Sequence, residues 1–190
     1  MDAGLTAGQV FPDLELDDHA GNPRRLDDVV GGDPTLLHFY RGWWCPKEQT
    51  FLRNLLALAD EAEVAYTRFV SVSVDGPEVT SAFRAGLGAR WLFLCDPERR
   101  YLDRLGLREH TDTLYQPYVP TAFVLGPRRV IHGVWNGYWF WGRPTNEELR
   151  RSFRELTRLV RPDWEVPEPP DPSSSPPAAA PDRSGRPHGS

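Results

Sequence analysis

Residues 40–49 read Tyr-Arg-Gly-Trp-Trp-Cys-Pro-Lys-Glu-Gln, and this stretch joins two segments with different apolar patterns. Residues 35–40 before it are almost continuously apolar, as expected for a strand in the buried middle of a parallel sheet. Residues 46–63 after it repeat apolar side chains at helical spacing: Phe51, Leu52, Leu55, Leu56 and Leu58. The stretch therefore predicts a strand-to-helix junction with Cys45 at the start of the helix.

The position of Cys45 indicates a reactive thiol. A cysteine in the first turn of a helix lies beside unpaired backbone N–H groups, at the positive end of the helix dipole. Both features favour the thiolate, which is the nucleophilic form of the side chain. Arg41 and Lys47, the only lysine in the chain, flank Cys45. The alternative is a buried structural cysteine, the commoner situation for a free thiol; the cations and the helix start favour a reactive Cys45.

Composition restricts the class of protein. The chain has 190 residues, 39% hydrophobic and 26% charged, which is typical of one soluble globular domain. No apolar run approaches the roughly 20 residues of a membrane helix, and no secretory signal is visible. Two distant cysteines do not make the disulfide framework of a secreted domain, so we expect a cytoplasmic protein without a membrane partner. A net charge of −5 argues against nucleic-acid binding.

The composition changes near residue 163. Residues 163–190 are rich in proline and serine and hold almost no large apolar side chain. Such a segment buries too little surface to offset the entropy that ordering costs. The sequence thus predicts a domain over residues 1–162, followed by a disordered, proline-rich tail over residues 163–190.

Strand-like and helix-like segments alternate along the predicted domain. Strands are predicted over residues 11–16, 35–40, 67–74, 91–95, 121–125 and 130–135, and helices over residues 46–63, 77–87, 98–105 and 146–160. Thr145 is the predicted N-cap of the last helix, with Glu148 as its capping-box partner. This order predicts an α/β fold with parallel crossovers and a late antiparallel addition. Ligands of such sheets bind beyond the carboxyl ends of strands, where Cys45 lies.

Five segments carry a family resemblance: residues 7–16, residues 20–28, Cys-Pro-Lys-Glu at 45–48, Phe-Leu-Cys-Asp-Pro-Glu at 93–98, and Pro-Thr-Ala-Phe at 120–123. Together they resemble the peroxiredoxins, the alkyl hydroperoxide reductase and thiol-specific antioxidant family of the thioredoxin-fold superfamily. The resemblance implies a thioredoxin-like fold, with a central mixed sheet flanked by helices and an N-terminal hairpin. It also implies that Cys45 reacts with peroxide.

The resemblance assigns roles around Cys45. It implies that Arg41 holds the thiolate and polarises the peroxide, and that Glu48 orients its neighbours or passes a proton. The alternatives are a surface cation at 41 and a helix-forming glutamate at the positive helix end at 48. Trp44, Pro120 and Thr121 are expected to line the substrate pocket, with Pro120 as a cis-proline. We expect no cofactor, because the histidines show no metal-binding spacing.

The sequence departs from the peroxidases of the family at position 42, and from thioredoxin-like redoxins at position 48. Gly42 stands where peroxidases of the family carry a threonine hydroxyl. Glu48 stands where many thioredoxin-like proteins carry the second cysteine of Cys-x-x-Cys, so local dithiol chemistry is excluded. Cys95 is then the candidate resolving thiol, and its alternative role is that of a buried bystander.

The sequence leaves several functions open. The first is peroxide reduction by a single cysteine that an external thiol regenerates, either a thioredoxin-like protein or a low-molecular-weight thiol. The second is a monothiol thiol–disulfide oxidoreductase. The third is a non-catalytic binding module that uses the aromatic residues 135–142, which otherwise pack the last helix on the sheet. The oligomeric state stays open, with a homodimer as one expectation.

Overall fold

A mixed β-sheet forms the centre of the molecule. The computed structural model describes residues 4–137 and 141–163, and within them the strands are β1 (Glu15–Asp18), β2 (Pro23–Arg25), β3 (Thr35–Phe39), β4 (Arg68–Ser73), β5 (Leu92–Cys95), β6 (Thr121–Leu125) and β7 (Ile131–Asn136). They form one sheet in the order β2-β1-β5-β4-β3-β6-β7. β3, β4 and β5 are parallel, and the other pairings are antiparallel. The predicted α/β fold with an N-terminal hairpin is confirmed.

The described chain has four α-helices: α1 (Leu26–Val30), α2 (Pro46–Val64), α3 (Pro77–Leu87) and α4 (Asn146–Val160). Proline begins α2 and α3, where its missing N–H costs no intrahelical bond. Thr145 caps α4 as predicted: its hydroxyl accepts the Glu148 N–H at 3.2 Å, and the Glu148 carboxylate accepts the Thr145 N–H at 2.7 Å. None of these helices is long and apolar enough to cross a membrane.

The core lies on both faces of the sheet. α1 and the segment before β1 cover one face, against Leu37 and Phe39 of β3. α2, α3 and α4 cover the other, against Leu36 of β3 and Tyr40, which follows it. Every side chain of β3 is therefore buried, which explains the continuous apolar run that leads to Cys45.

Two predicted elements differ from the structure. The first strand begins at Glu15, because Phe11 and Leu14 are apolar as buried parts of an irregular segment and not as strand residues. The predicted helix over residues 98–105 is wrong, and this segment forms hydrogen-bonded turns. Arg99 has a left-handed backbone (φ +56°), which interrupts a right-handed helix. Asp96 stabilises the turns, because its carboxylate accepts the N–H groups of residues 100 and 101. The predicted tail beyond Asp163 lies outside the described residues.

Candidate active site

Cys45 lies at the junction that the sequence predicts, as the N-cap residue of α2. Its N–H donates to the Gly42 carbonyl at 3.2 Å, and its own carbonyl accepts the Gln49 N–H at 3.1 Å, the first hydrogen bond of the helix. The side chain is 96% buried but reaches a cleft. The β3 strand and the α2 helix thus hold the sulfur at a helix N-terminus beside an opening to solvent.

The cleft has a volume of about 400 Å³. Its walls combine cations, apolar rings and a few polar groups: Arg41, Trp44, Cys45, Pro46, Lys47, Glu109, Thr111, Pro120, Gly137 and Arg143. The structure therefore brings together four residues that the sequence assigns to the site, namely Cys45, Arg41, Trp44 and Pro120. It adds Arg143, which the sequence analysis missed.

Arg41 is held in place by partners on two sides. Its Nη2 atom lies 2.7 Å from Oδ2 of Asp112, and its guanidinium lies 5.1 Å from the centroid of the Trp44 ring. The Trp44 ring stacks in turn on Tyr115, with 4.1 Å between centroids. The Arg41 side chain is 27% exposed and lines the cleft, so these contacts favour a guanidinium positioned at the cleft over a free surface cation.

Glu48 is a completely buried carboxylate in the first turn of α2. Its Oε1 atom forms an ion pair with Nη2 of Arg143, and its Oε2 atom lies 3.5 Å from Nε2 of His38. Burial by itself would raise the pKa of Glu48, but His38 and Arg143 together hold that pKa below its usual value. Burial lowers the pKa of His38, so we assign a neutral imidazole to His38. The charge of Glu48 is then balanced by Arg143. Glu48 is thus more than a helix former at a positive helix end.

No local sequence pattern marks Arg143 as a site residue. It lies 95 residues from its partner Glu48 along the chain, in a stretch that stands out for its aromatic residues. The one available signal was physical: a carboxylate in the buried first turn of α2 needs a cation. The structure shows that Arg143 supplies this cation and also lines the cleft beside Cys45.

Pro120 and Thr121 occupy different environments. Pro120 lines the cleft, but the predicted cis bond before it is wrong, because the described residues contain no cis peptide. The trans form is the intrinsically preferred one by about 0.5–1 kcal/mol, and here the Pro120 carbonyl accepts the Gly137 N–H. Thr121 is buried at the start of β6 and is not among the residues that line the cleft. Its hydroxyl donates to the Val119 carbonyl at 3.1 Å.

Cys95 ends β5 and, like Cys45, is a free thiol. Burial raises the pKa of the Cys95 thiol to about 11, with a partial offset from the Thr80 hydroxyl. β4 lies between β5 and β3, the strand that leads to Cys45, so these strand ends are about 10 Å apart. A disulfide needs Cα atoms within about 7 Å. These observations favour a buried bystander, and the resolving role of Cys95 stays a prediction to be tested.

The backbone conformation and close packing at Gly42 explain why this position carries no threonine. Its backbone has φ +146°, and an added Cβ would lie 2.7 Å from Nε1 of Trp44 and 3.2 Å from Oδ2 of Asp75. A residue with a side chain at this position is therefore strained on both steric and conformational grounds. The hydroxyl that the family pattern provides at this position cannot be present without rebuilding the loop.

We expect Gly42→Ala to lower the free energy of unfolding by about 1–3 kcal/mol, the usual cost of a strained backbone position. The matched control is Gly86→Ala in α3, where an added Cβ meets open space. That change should leave stability unchanged or raise it by up to about 1 kcal/mol, because alanine is the better helix former. Urea unfolding of both variants measures the difference, and equal stabilities would contradict the assigned strain.

Metal binding and the aromatic stretch add little to the site. Within residues 4–137 and 141–163, no group of three His, Cys, Asp or Glu side chains is placed to hold a metal ion. Trp135 packs against the core beneath α4, whereas Trp141 is exposed. Residues 138–140 of the aromatic stretch lie outside the described residues. The described part thus supports packing for Trp135, and the use of residues 135–142 as a binding surface stays a prediction.

The fold and the cysteine cleft are those of a thioredoxin-like redoxin domain, and comparison with known proteins agrees. Residues 7–134 match the AhpC/TSA family. This match spans more than half of the chain, so the chain belongs to the AhpC/TSA family, as the resemblance implies.

The chain is similar to individual peroxiredoxins. It is 26% identical over 137 residues to the 1-Cys peroxiredoxin PER1 of Hordeum vulgare, which covers 67% of this chain and 62% of the relative. The chain therefore spans less than two thirds of that relative. The crystal structure of peroxidoxin BcpB from Mycobacterium tuberculosis superposes with a TM-score of 0.70 at 21% identity, covering 82% of this chain and 98% of that one.

A further structure, reduced Prx3 from Vibrio vulnificus in complex with H₂O₂, superposes with a TM-score of 0.71 at 20% identity. It covers 79% of this chain and 96% of that chain. At these identities the two structures establish the thioredoxin-like fold, which confirms the predicted fold class.

Proposed function

We propose that the protein is a thiol peroxidase in which Cys45 reduces a peroxide and an external thiol regenerates it. The observation that carries this proposal is the position of Cys45 at a helix N-terminus, in a cleft that also holds the guanidinium groups of Arg41 and Arg143. Asp112 and Glu48 hold these two cations in place. Preorganised donors of this kind stabilise negative charge that develops during a reaction.

The first step transfers one oxygen atom to sulfur. The Cys45 thiolate attacks the terminal oxygen of the peroxide, an S–O bond forms, and the O–O bond breaks. The departing alkoxide or hydroxide takes up a proton and leaves as an alcohol or water, and Cys45 becomes a sulfenic acid. Arg41 and Arg143 supply N–H donors for the oxygen that gains charge as the O–O bond breaks.

Two equivalents of external thiol complete the cycle. The first condenses with the Cys45 sulfenic acid to give a mixed disulfide and water, and the second displaces Cys45 as the thiolate and leaves as a disulfide. We expect the thiol to be a thioredoxin-like protein or a low-molecular-weight thiol. Glu48 occupies the place of a local second cysteine, and Cys95 lies on a strand separated from β3 by β4.

The similar proteins support this mechanism by their descriptions. The relative from Hordeum vulgare is described as a 1-Cys peroxiredoxin, and the Vibrio vulnificus protein was crystallised with H₂O₂. A reducing compartment such as the cytoplasm suits a protein whose two cysteines are both free. A homodimer remains an expectation, and no membrane or nucleic-acid partner is part of the proposal.

Sulfenic-acid trapping tests the proposal directly. Reduced protein is treated with one equivalent of H₂O₂ or an organic hydroperoxide in the presence of a dimedone-type probe, and the adduct is mapped by peptide mass analysis. We expect the adduct on Cys45 both in the wild-type protein and in Cys95→Ser, the matched control. Exchange of Cys45 with a small disulfide, without any peroxide adduct, would instead indicate a thiol–disulfide oxidoreductase. An unmodified Cys45 under both treatments would indicate a binding module.

A further inference from the structure

A second opening lies far from Cys45, between the C-terminal part of α2 and α4. It is a groove of about 600 Å³ with an apolar floor that includes Leu58, Ala62 and Phe153. Its rim carries four arginines. Three of them form a stripe along α4, and the fourth follows the helix directly: Arg150, Arg154, Arg158 and Arg161. Side chains at these spacings share one face of a helix. The groove therefore combines apolar surface with a row of positive charge.

The two central arginines of the rim are available for a further partner. Arg150 pairs with Glu61 and Glu147, and Arg161 pairs with Asp163. Arg154 and Arg158 form no ion pair with any residue in the described part of the chain, and both are exposed. An occupant with two or three negative charges and some apolar surface would complement this groove.

The chain itself contains such a segment. Residues 164–171 read Trp-Glu-Val-Pro-Glu-Pro-Pro-Asp and begin directly after Asp163, at the end of α4 whose Arg161 lines the groove. Three prolines favour a polyproline II helix, which has three residues per turn. Glu165, Glu168 and Asp171 are spaced by three, so this conformation places all three carboxylates on one face.

The length of residues 164–171 also matches the length of the arginine rim. The rim from Arg150 to Arg161 extends about 16 Å along α4 at 1.5 Å per residue. A polyproline II segment advances about 3.1 Å per residue, so residues 164–171 reach about 22 Å and can run back along the whole rim. Proline also restricts the free segment, which reduces the entropy lost on docking.

We propose that residues 164–171 fold back along α4 and occupy this groove. Trp164 covers the apolar floor, and Glu165 and Glu168 face Arg154 and Arg158. The boundary of the ordered domain then lies near residue 171 instead of the residue 162 that composition alone predicts. The groove is formed by the last turns of α2, whereas Cys45 precedes its first turn, so this docking is independent of the proposed peroxide chemistry.

Backbone dynamics of the full-length protein test the docking. We expect ¹H–¹⁵N heteronuclear NOE values for residues 165–168 that approach those of α4, and much lower values for residues 180–190. Equally low values in both segments would overturn the proposal. Ordering of residues 165–168 that appears only with a concentration-dependent dimer would also overturn it, because the groove would then be filled by a second copy.

Charge reversal identifies the contacts. The double change Glu165→Lys with Glu168→Lys should lower the NOE values of the segment and reduce Tm by about 2–4 °C, the shift expected for a loss of about 1 kcal/mol in a protein of this size. Asp182→Lys is the matched control and should change neither. Adding Arg154→Glu and Arg158→Glu to the double change should restore the NOE values. Failure of this rescue in a folded quadruple variant would contradict the assigned pairing.

Discussion

Cys45→Ser will abolish peroxide consumption, whereas Cys95→Ser will keep most of it when a small thiol is the reductant. Cys45 is the sulfur that lines the cleft with Arg41 and Arg143. Cys95 is buried at the end of β5, and burial holds its pKa near 11, so it is a poor nucleophile at neutral pH. The rate of thiol-dependent peroxide loss, measured for the wild-type protein and both variants, checks the prediction.

The oxidised product gives a second measurement of the same mechanism. After one equivalent of peroxide without added thiol, we expect the two cysteines of the wild-type protein to stay unlinked in non-reducing mass analysis. A Cys45–Cys95 disulfide as the main product would show that Cys95 is the resolving residue. The start of α2 would then have to unwind, because the helix begins directly after Cys45.

Arg143→Met is expected to slow the oxidation of Cys45 by peroxide by about 10²-fold or more. Loss of one preorganised donor to a developing negative charge costs about 10²–10³ in rate in well-studied enzymes. The same change should lower the free energy of unfolding at pH 7 by about 3–5 kcal/mol, because it leaves the buried Glu48 carboxylate without its cation. Stopped-flow oxidation kinetics and urea unfolding measure the two effects.

The stability loss of Arg143→Met should depend on pH. In the native protein the pKa of Glu48 is lowered, so its stabilisation is present above the unfolded value of about 4.3 and is lost as the pH falls through the folded value. Without Arg143, burial dominates, and the folded variant takes up an extra proton on Glu48 or on the neighbouring His38. The variant then loses stability as the pH rises. The difference in the free energy of unfolding between Arg143→Met and the wild-type protein should therefore be largest near pH 7 and shrink toward pH 4.

An exposed arginine provides the control for these measurements. Arg151→Met removes a cation from the exposed face of α4 and should change stability by less than about 0.5 kcal/mol, without effect on the oxidation rate. An Arg143→Met variant that matches Arg151→Met in both measurements would refute the role of the Glu48–Arg143 pair. A pH-independent loss of stability would show that Arg143 contributes by packing and not by charge.

The sequence by itself determined the features that depend on neighbouring residues. The apolar run of β3, the helical spacing of α2 and the proline after Cys45 together place the thiol at the start of a helix, and all lie within about 30 residues. The capping box of Thr145 and Glu148 was equally predictable, because both hydrogen bonds form within one helical turn. The alternation of strands and helices then predicted the parallel centre of the sheet.

Only the tertiary structure decided the features that join distant parts of the chain. The pairing of Glu48 with Arg143 joins the first turn of α2 to a residue 95 positions later in the chain, and no local pattern records that contact. The ion pair of Arg41 with Asp112 likewise joins residues that are 71 positions apart, and no local pattern predicts it. Local patterns report the conformation and burial of a segment, whereas the partner of a buried charge is chosen by the packing of the whole fold.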